Sequence, residues 1–300
     1  MLLDLDTMLG RLRGVRRAGS GYVACCPAHA DQNPSLSIRE GKDRILLHCH
    51  AGCDYRSILR ALELEPQRSG PAIPLPSGGI HPADDSARIE HARRLWREAK
   101  PLPGTPAERY LEGRGISLPS WPPTLRFHPA CPHPSGKRLP ALIAAICRYR
   151  ERMLRLRGLH RVFITPDGRK AAIEPRKAAL GAVKGAAVYL SRPTATLAVA
   201  EGVETALATM LLCRHDPRFE GWSYAAAVSA GNLPAIELPP EVKVVIIAAD
   251  NDEPGREAAI KAAHRFIREG KDARIAYPPN AKDFNDALLN ERREKESANG

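Results

Sequence analysis

The chain has 300 residues, 43% of them hydrophobic, and a formal net charge of +11 at neutral pH. This hydrophobic fraction suffices for a folded core and excludes a chain that is disordered throughout. No apolar run approaches the roughly 20 residues that span a bilayer, and the first residues lack the basic flank and cleavage site of a signal peptide. We therefore predict a cytoplasmic protein with no membrane partner.

The first predicted feature along the chain is a zinc site. Cys26 and His29, followed by Cys49 and Cys53, form a C-x2-H … C-x3-C pattern with 19 residues between the two pairs. Zinc prefers four nitrogen or sulfur ligands in a tetrahedron, and two close pairs on two turns provide them. Four of the seven cysteines lie within the first 53 residues, and in a cytosolic chain such clustering favours a metal over disulfides.

The segment between the pairs is predicted to bring them together as a zinc ribbon. Two strand-like runs joined by a turn lie there, at residues 36–38, 45–47 and 41–43. Because a unit of this size buries a limited core, we expect the metal to contribute most of its folding energy. Cys25 and His50 adjoin the pairs and remain alternative ligands, and a reduced cysteine cluster without metal is the remaining alternative.

Residues 66–85 contain five prolines and three glycines and show no apolar period, which predicts a linker. A helix is expected over about 86–100, with Ile89, Ala92, Leu95 and Trp96 on one face. The next segment, Thr105-Pro-Ala-Glu108, matches a capping box with proline at the first helical position. It predicts a short helix that ends near Gly113.

Residues 139–192 are predicted to form strands and turns and are strongly basic. Strands are expected at 142–146, 154–164 and 171–174, with a turn at 166–168. Between Arg148 and Arg192 twelve basic residues face only three acidic ones. Such a patch offers salt-dependent contacts to nucleic-acid phosphates, although a solvated basic face is the simpler alternative.

From Thr196 onward the pattern alternates between strands and helices. Strands are predicted at 197–200, 224–228, 243–249 and 274–277, and helices at 204–212, 255–267 and 284–289. Apolar strands that alternate with helices indicate an α/β fold with a parallel sheet covered on both faces. The charged tail after Asn290 is expected to fray.

Carboxylates follow three of these strands. Glu201 comes after the first strand, Asp250 and Asp252 after another, and Asp283 and Asp286 after the last. In open α/β sheets this carboxyl edge is where ligands bind. Gathered carboxylates repel one another unless a cation joins them, and hard oxygen ligands suit magnesium or manganese. Acidic residues also favour helix N-termini through the helix dipole, which is a sufficient explanation for Glu204 and Glu253.

These residues carry a resemblance to a known family. The segments EGVETALA, AADNDEPGREAA and KDFNDAL resemble the three motifs of a Toprim domain, and CPAH … HCHAGC resembles the zinc-binding domain of bacterial-type DNA primases. The stretch LPALIAAI … GLHRVFITPDGRKA resembles the segment before Toprim in phage- and plasmid-type members. The resemblance implies a zinc-binding domain (1–65), a linker (66–85), a basic subdomain of the polymerase core (86–192), a Toprim domain (193–290) and a tail (291–300).

The resemblance also implies roles for particular residues. Glu201 is expected to be the catalytic acid or a metal ligand, and Asp250 and Asp252 to hold magnesium or manganese. Asp283 and Asp286 complete the acidic site. Contacts to template or nucleotide phosphates are expected from Arg161, Lys170 and Lys184.

Two positions depart from the family pattern. Thr205 stands where many bacterial primases have aspartate, and Asn285 occupies the second acidic position of the last motif. Both substitutions concern the metal geometry of the site rather than the class of domain.

The function so implied is metal-dependent synthesis of short RNA primers from ribonucleoside triphosphates on single-stranded DNA. A Toprim-type nuclease and a catalytically inactive, zinc-dependent single-strand binder remain alternatives. No G-x4-G-K-[ST] phosphate loop occurs in these residues. We therefore expect a separate replicative helicase as partner.

Overall fold

A computed structural model describes residues 5–18, 21–31, 34–40, 45–49, 53, 55–64 and 82–299. The chain divides into two compact units, Met1–Gly79 and Ile80–Gly300. Within the described ranges, no helix is both long enough and apolar enough to cross a membrane.

The first unit is built on a four-stranded antiparallel sheet in the order β1-β2-β3-β4. Its elements are α1 (Leu5–Leu9), β1 (Arg16–Ala18), β2 (Gly21–Ala24), β3 (Leu36–Glu40), β4 (Ile45–Cys49) and α2 (Tyr55–Ala61). Leu36 lies opposite Cys49 and Ile38 opposite Leu47, which confirms the two predicted strands. The predicted turn at 41–43 lies outside the described residues.

The core of this unit is small and includes two of the predicted zinc ligands. Its buried hydrophobic residues are Met8, Leu12, Ala24, Cys26, Leu36, Ile38, Ile45, Cys49, Ile58, Leu59 and Leu62. Because Cys26 and Cys49 pack within this core, the cluster that they belong to is part of what holds the unit together.

The second unit opens with helices α3 (Pro82–Glu98) and α4 (Pro106–Glu112). Helix α3 buries Ile89, Ala92 and Leu95 as predicted, but it begins four residues earlier than expected. Proline is tolerated in a first helical turn because its missing N–H needs no partner there. The helix therefore takes the last four residues of the predicted linker, whose remainder up to residue 81 lies outside the described residues.

Helix α4 has the predicted start and end but not the predicted capping box. The Thr105 side chain makes no cap bond, and its hydroxyl instead donates to the Leu102 carbonyl at 2.6 Å. Glu108 accepts from the Gly104 N–H at 2.6 Å and from the Trp121 indole at 2.8 Å. The Glu108 carboxylate thus accepts from the N–H of Gly104 instead of the N–H of Thr105 that a capping box would use, and its other oxygen is bound to Trp121.

A second antiparallel sheet follows, in the order β5-β6-β7-β8. Its strands are β5 (Leu125–Pro132), β6 (Arg138–Arg150), β7 (Met153–Phe163) and β8 (Lys177–Gly181). The turn predicted at 166–168 is present, since the Gly168 N–H donates to the Thr165 carbonyl at 2.9 Å. The strand predicted at 171–174 is wrong. Pro175 has no N–H for a ladder, and regular pairing resumes only at Lys177.

The remaining elements form a mixed α/β layer. Its five-stranded sheet has the order β13-β12-β10-β11-β9, with β10 parallel to β11 and β12, β12 parallel to β13, and β9 antiparallel to β11. Its elements are β9 (Val188–Tyr189), β10 (Thr196–Ala200), α5 (Val203–Cys213), β11 (Ser223–Ala226), β12 (Val244–Ala248), α6 (Glu253–Arg268), β13 (Asp272–Ala276) and α7 (Phe284–Asn299). The predicted parallel sheet is confirmed.

Strand β6 joins this layer to the antiparallel sheet. Leu142, Ala144 and Ile146 pack in a cluster that includes residues of β10 and α5. Ala145 and Cys147 pack instead in the cluster around helix α6. Since one strand contributes to both clusters, the two sheets form a single compact unit.

The last helix corrects the prediction for the chain's end. Helix α7 runs to Asn299 rather than ending near residue 289. Leu288 is buried, and Lys295 pairs with Glu291 one turn earlier. Such i,i+4 pairs of opposite charge support an exposed helix, so the charged composition of the tail favours helix here rather than fraying.

Candidate zinc site and acidic site

The predicted zinc ligands lie together in the first unit. The ligating atoms of Cys26, His29, Cys49 and Cys53 all lie within 4.8 Å of one another. His29 Nδ1 is 3.2 Å from Cys53 Sγ and 3.9 Å from Cys49 Sγ. Tetrahedral zinc, with bonds of roughly 2.0–2.3 Å, places its ligand atoms roughly 3.5–3.8 Å apart. The donor set and its spacing therefore fit a structural zinc ion.

The alternative ligands are placed differently. The sulfur of Cys25 packs against Gly14, 3.0 Å from the position that a Cβ would take there, and Cys25 is not in the cluster. His50 lies outside the described residues. Burial, together with the neighbouring thiols Cys49 and Cys53, raises the pKa of the Cys26 thiol to about 12 against an opposing backbone hydrogen bond at Ala28. A zinc ion would have to displace this proton on binding.

One aspartate that the sequence analysis overlooked connects the ligands. Asp31 Oδ2 accepts from the Cys26 N–H at 2.6 Å and from the Ser35 hydroxyl at 2.6 Å. The same oxygen lies 3.8 Å from His29 Nε2, on the side of the ring away from Cys53. Carboxylates placed behind a ligating histidine orient the ring and make it a better metal ligand.

Replacing Asp31 by asparagine is expected to speed zinc release while leaving the ligand set intact. Loss of an outer carboxylate typically lowers metal affinity about 10- to 100-fold, so zinc should pass to a chromogenic chelator at least about tenfold faster. Glu40→Gln, an exposed acid at the end of β3, is the matched control. Equal release rates for Asp31→Asn and the control would contradict the role given to Asp31.

In the second unit, three parallel strands deliver carboxylates to one edge of the sheet. We call Glu201, Asp250, Asp252 and Asp283 the acidic edge, since they follow β10, β12 and β13. Their charges act on one another: Glu201, Asp283 and Asp252 each raise the pKa of Asp250, and Asp252 raises that of Glu201. The four predicted side chains thus follow the carboxyl ends of neighbouring parallel strands at one edge of the sheet.

Asp250 is the most perturbed of the four. Burial, followed by the charges of Glu201, Asp283 and Asp252, raises its pKa to about 7, while Lys282 opposes the shift. Its Oδ1 atom is buried and has no hydrogen-bond partner. Gly255 makes this position possible, because a Cβ there would lie 2.8 Å from the Asp250 carbonyl oxygen. A buried carboxylate oxygen without a donor is suited to bind a cation.

Glu201 is held by a loop that has no signature in the sequence. Burial raises its pKa, with a further rise from Asp252, while a hydrogen bond from the Ala230 backbone and the charge of Lys177 act against it. The loop is pinned by buried Asn232, whose Nδ2 donates to the Ala186 and Ala227 carbonyls at 2.8 Å each.

The other two members of the edge also cap helices. Asp252 Oδ1 accepts from the Gly255 N–H at 3.0 Å at the start of α6. Asp283 Oδ1 accepts from the Asp286 N–H at 2.8 Å at the start of α7. The helix-end explanation and the site explanation therefore apply to the same side chains, since each carboxylate keeps a second oxygen for other partners.

The polar residues of the last motif, Asp283, Asn285 and Asp286, do not all contribute to the acidic edge. The carboxylates that act most strongly on the pKa of Asp250 are Glu201, Asp283 and Asp252, and Asp286 is not one of them. Asn285 is buried and donates through Nδ2 to the Arg114 carbonyl at 2.7 Å. At this position the chain thus uses a neutral side chain to tie α7 to the loop after α4.

The acidic edge fits a divalent cation by its donor chemistry. Among the described residues, only the Cys/His cluster gathers three or more ligating atoms within a few ångströms, so the carboxylate oxygens of the edge are more widely spaced. Magnesium usually keeps several of its waters and takes only one or two carboxylates directly. A widely spaced set of hard oxygen donors is compatible with the binding of a partly hydrated magnesium ion.

The three residues predicted to contact phosphates differ in their exposure to solvent. Arg161 is only 7% exposed, and its guanidinium donates to the carbonyls of Pro132, Ala178 and Ala179 at 2.8, 3.4 and 3.2 Å. Arg161 therefore braces the sheet from a buried position, with three of its N–H groups directed at backbone carbonyls, and its phosphate contact stays a prediction. Lys170 and Lys184 are exposed.

Glu204 is the clearest departure from the sequence interpretation. It was attributed to the helix dipole, but it is 4% exposed, accepts from the Tyr110 hydroxyl at 2.9 Å and pairs with Lys177 Nζ at 3.0 Å. No spacing in the sequence indicates these two contacts, because Lys177 and Tyr110 lie 27 and 94 residues away from Glu204.

Comparisons with known proteins agree with this description. Family models match three successive segments: a CHC2 zinc finger at residues 3–59, a domain of unknown function (DUF7146) at 86–190 and a Toprim domain at 196–294. A DNA primase from Haemophilus influenzae is 26% identical over 137 residues, which covers 38% of this chain and 22% of that protein. The chain thus matches only about a fifth of the length of this curated relative.

Two solved structures are similar at low identity. The primase fragment of the bacteriophage T7 primase-helicase protein gives a TM-score of 0.40 at 13% identity, covering 90% of this chain and 95% of that one. The zinc-binding and RNA polymerase domains of Aquifex aeolicus primase give 0.44 at 14% identity, covering 99% and 83%. The chain thus carries a CHC2 zinc finger followed by a Toprim domain and is similar, over part of its length, to a bacterial DNA primase.

Proposed function

We propose that this chain is a DNA primase, a nucleotidyltransferase that makes short RNA primers on single-stranded DNA from ribonucleoside triphosphates. The observation that supports it most is the acidic edge, where Asp250 keeps a buried oxygen without a donor and a pKa raised to about 7. The combination of this edge with a CHC2 zinc finger favours a primase over other Toprim enzymes.

We further propose that Glu201, Asp250, Asp252 and Asp283 hold magnesium or manganese. Such a cation, when bound, neutralises phosphate charge and stabilises the attacking and leaving oxygens of phosphoryl transfer. The contribution of the chain is to place four carboxylates at one edge and to bury one oxygen of Asp250. We include Asp286 only as an outer acid, because its backbone supports Asp283.

The single-stranded template is proposed to bind across the basic subdomain, with Lys170 and Lys184 as phosphate contacts. Exposed lysines give sequence-independent affinity that falls with salt. We propose the zinc-binding domain (1–65) as a second template contact, the basic subdomain as 86–192 and the Toprim domain as 193–290. A replicative helicase outside these residues would open the duplex.

Incubation with single-stranded DNA, labelled ribonucleotides and magnesium tests the proposal. We expect short labelled RNA products that require the divalent cation and the template. Shortening of labelled DNA in the absence of nucleotides would instead identify a nuclease. Binding of single strands without incorporation under magnesium or manganese would identify an inactive binder, and either result would overturn the primase proposal.

A further inference from the structure

Three elements meet at a buried carboxylate beside the acidic edge. Glu204 lies in the first turn of α5, and its side chain is 5% exposed. Tyr110 of α4 donates to Oε1 at 2.9 Å. Lys177, the first residue of β8, lies 3.0 Å from Oε1 and 3.1 Å from Oε2. Both carboxylate oxygens are therefore occupied by residues from distant parts of the chain.

Burial and neighbouring charges act in opposite directions on the pKa of Glu204. Burial is the largest single effect and acts to raise the pKa of Glu204, but the charge and hydrogen bond of Lys177, together with His160 and a backbone hydrogen bond, outweigh it, so the pKa lies well below its usual range. Burial lowers the pKa of neighbouring His160 to about 4, so this ring is neutral at pH 7. Lys177 is then the cation that keeps Glu204 ionised.

Lys177 belongs to two environments at once. Its side chain is 36% exposed, whereas that of Glu204 is 5% exposed. Its charge also lowers the pKa of Glu201 at the acidic edge and the pKa of exposed Lys170. The ammonium group is thus held by a buried carboxylate that lies in the first turn of α5, three residues after Glu201.

Stability alone is a poor explanation for such a pair. Taking two charges out of water offsets much of their attraction, and apolar replacements of similar volume are often as stable. A carboxylate that is fixed by Tyr110 and grips the ammonium through both oxygens does, however, restrict where a flexible lysine can point.

We infer that Glu204 is a positioning residue of the proposed polymerase site, which fixes the Lys177 ammonium beside Glu201 so that a positive charge faces the phosphates of the incoming nucleotide. The inference rests on the proposed function. The chemistry that Lys177 would recognise is a triphosphate, since the acidic edge repels anions and needs cations around it to admit one.

The test compares steady-state nucleotide incorporation by wild type, Glu204→Gln and the double variant Glu204→Met/Lys177→Met. Glutamine keeps an acceptor for Tyr110 but removes the charge, while the double variant replaces the pair by apolar side chains and protects the fold. We expect both to raise the KM for ribonucleotides about tenfold or more, with kcat changed less, because a charge-assisted phosphate contact is lost or misplaced. Glu257→Gln, which removes the partner of Lys261 on the exposed face of α6, is the matched control and should leave the KM unchanged.

A second readout follows the lysine directly. Mass spectrometry of amine acylation should show Lys177 labelled faster in Glu204→Gln than in wild type, and protected by nucleotide with magnesium in wild type. If wild type incorporates nucleotides and the folded double variant has an unchanged KM, the inference is overturned and the proposed function stands. If wild type does not incorporate nucleotides, the proposed function fails and the inference with it.

Discussion

Asp250→Asn is expected to lower nucleotide incorporation by about a hundredfold or more, and at the same time to stabilise the protein in a chelator. Asparagine keeps the shape of the side chain but removes the charge that a cation needs. It also removes the repulsion from Glu201, Asp283 and Asp252. Loss of activity with a gain in stability is the signature of a residue kept for function.

The pH dependence of this effect has a fixed sign. The pKa of Asp250 is raised in the folded protein, to about 7 from 3.8, so the folded state binds a proton more tightly than the unfolded state. The ionised carboxylate therefore destabilises the fold, an effect absent below pH 4 and fully present above pH 7. Since the side chain is partly exposed, we expect the penalty to be about 1–2 kcal/mol after screening.

Thermal unfolding between pH 4 and pH 8 in EDTA checks the stability arm. The advantage of Asp250→Asn over wild type should grow as the pH rises through this range. Magnesium should raise the melting temperature of wild type at pH 8 but not that of the variant. Glu253→Gln, an exposed acid in the first turn of α6, is the control and should keep both activity and the magnesium response. An active Asp250→Asn enzyme would contradict the assignment of the site.

Removal of zinc is expected to unfold the N-terminal unit while the unit Ile80–Gly300 stays folded. Structural zinc contributes on the order of 10 kcal/mol in small domains, and the core of this unit contains Cys26 and Cys49 themselves. Cys49→Ser should therefore bind no zinc and lose the protease resistance of residues 5–64. The larger unit has cores of its own around α5 and α6, and its melting transition should persist.

Zinc content and limited proteolysis measure this outcome, with Cys25→Ser as the matched control. Cys25 adjoins the cluster in sequence, but its sulfur packs on Gly14, so its replacement should keep one zinc per chain. If Cys25→Ser lost zinc and Cys49→Ser kept it, the ligand assignment would be wrong. Retained protease resistance in the zinc-free protein would contradict the structural role of the metal.

Several features of the fold and site followed from local patterns. The strands predicted at 36–38 and 45–47 and the spacing of the cysteine pairs indicated the Cys/His cluster, because the hairpin of β3 and β4 brings the chain before Leu36 next to the chain around Cys49. The acidic edge was predictable for a related reason. Parallel strands end on the same side of a sheet, so carboxylates that follow β10, β12 and β13 must converge.

Local patterns misplaced two elements. In one a proline interrupts strand pairing, and in the other packing and charge pairs extend a helix. The strand expected at 171–174 gives way to β8 because Pro175 cannot join a ladder. The tail beyond residue 290 is helical because opposite charges recur at i,i+4 and Leu288 packs inward.

By itself, the sequence determined which side chains could form a zinc cluster and an acidic edge, since both depend on spacing along one hairpin or on the common direction of parallel strands. Only the tertiary structure decided which charges are free to act. It buried Arg161 beside three carbonyls, joined Asp286 to Asp283 through its backbone N–H, and paired Glu204 with Lys177 and Tyr110. The burial and partner of a charge depend on residues far away in the chain, and neither composition nor periodicity contains that information.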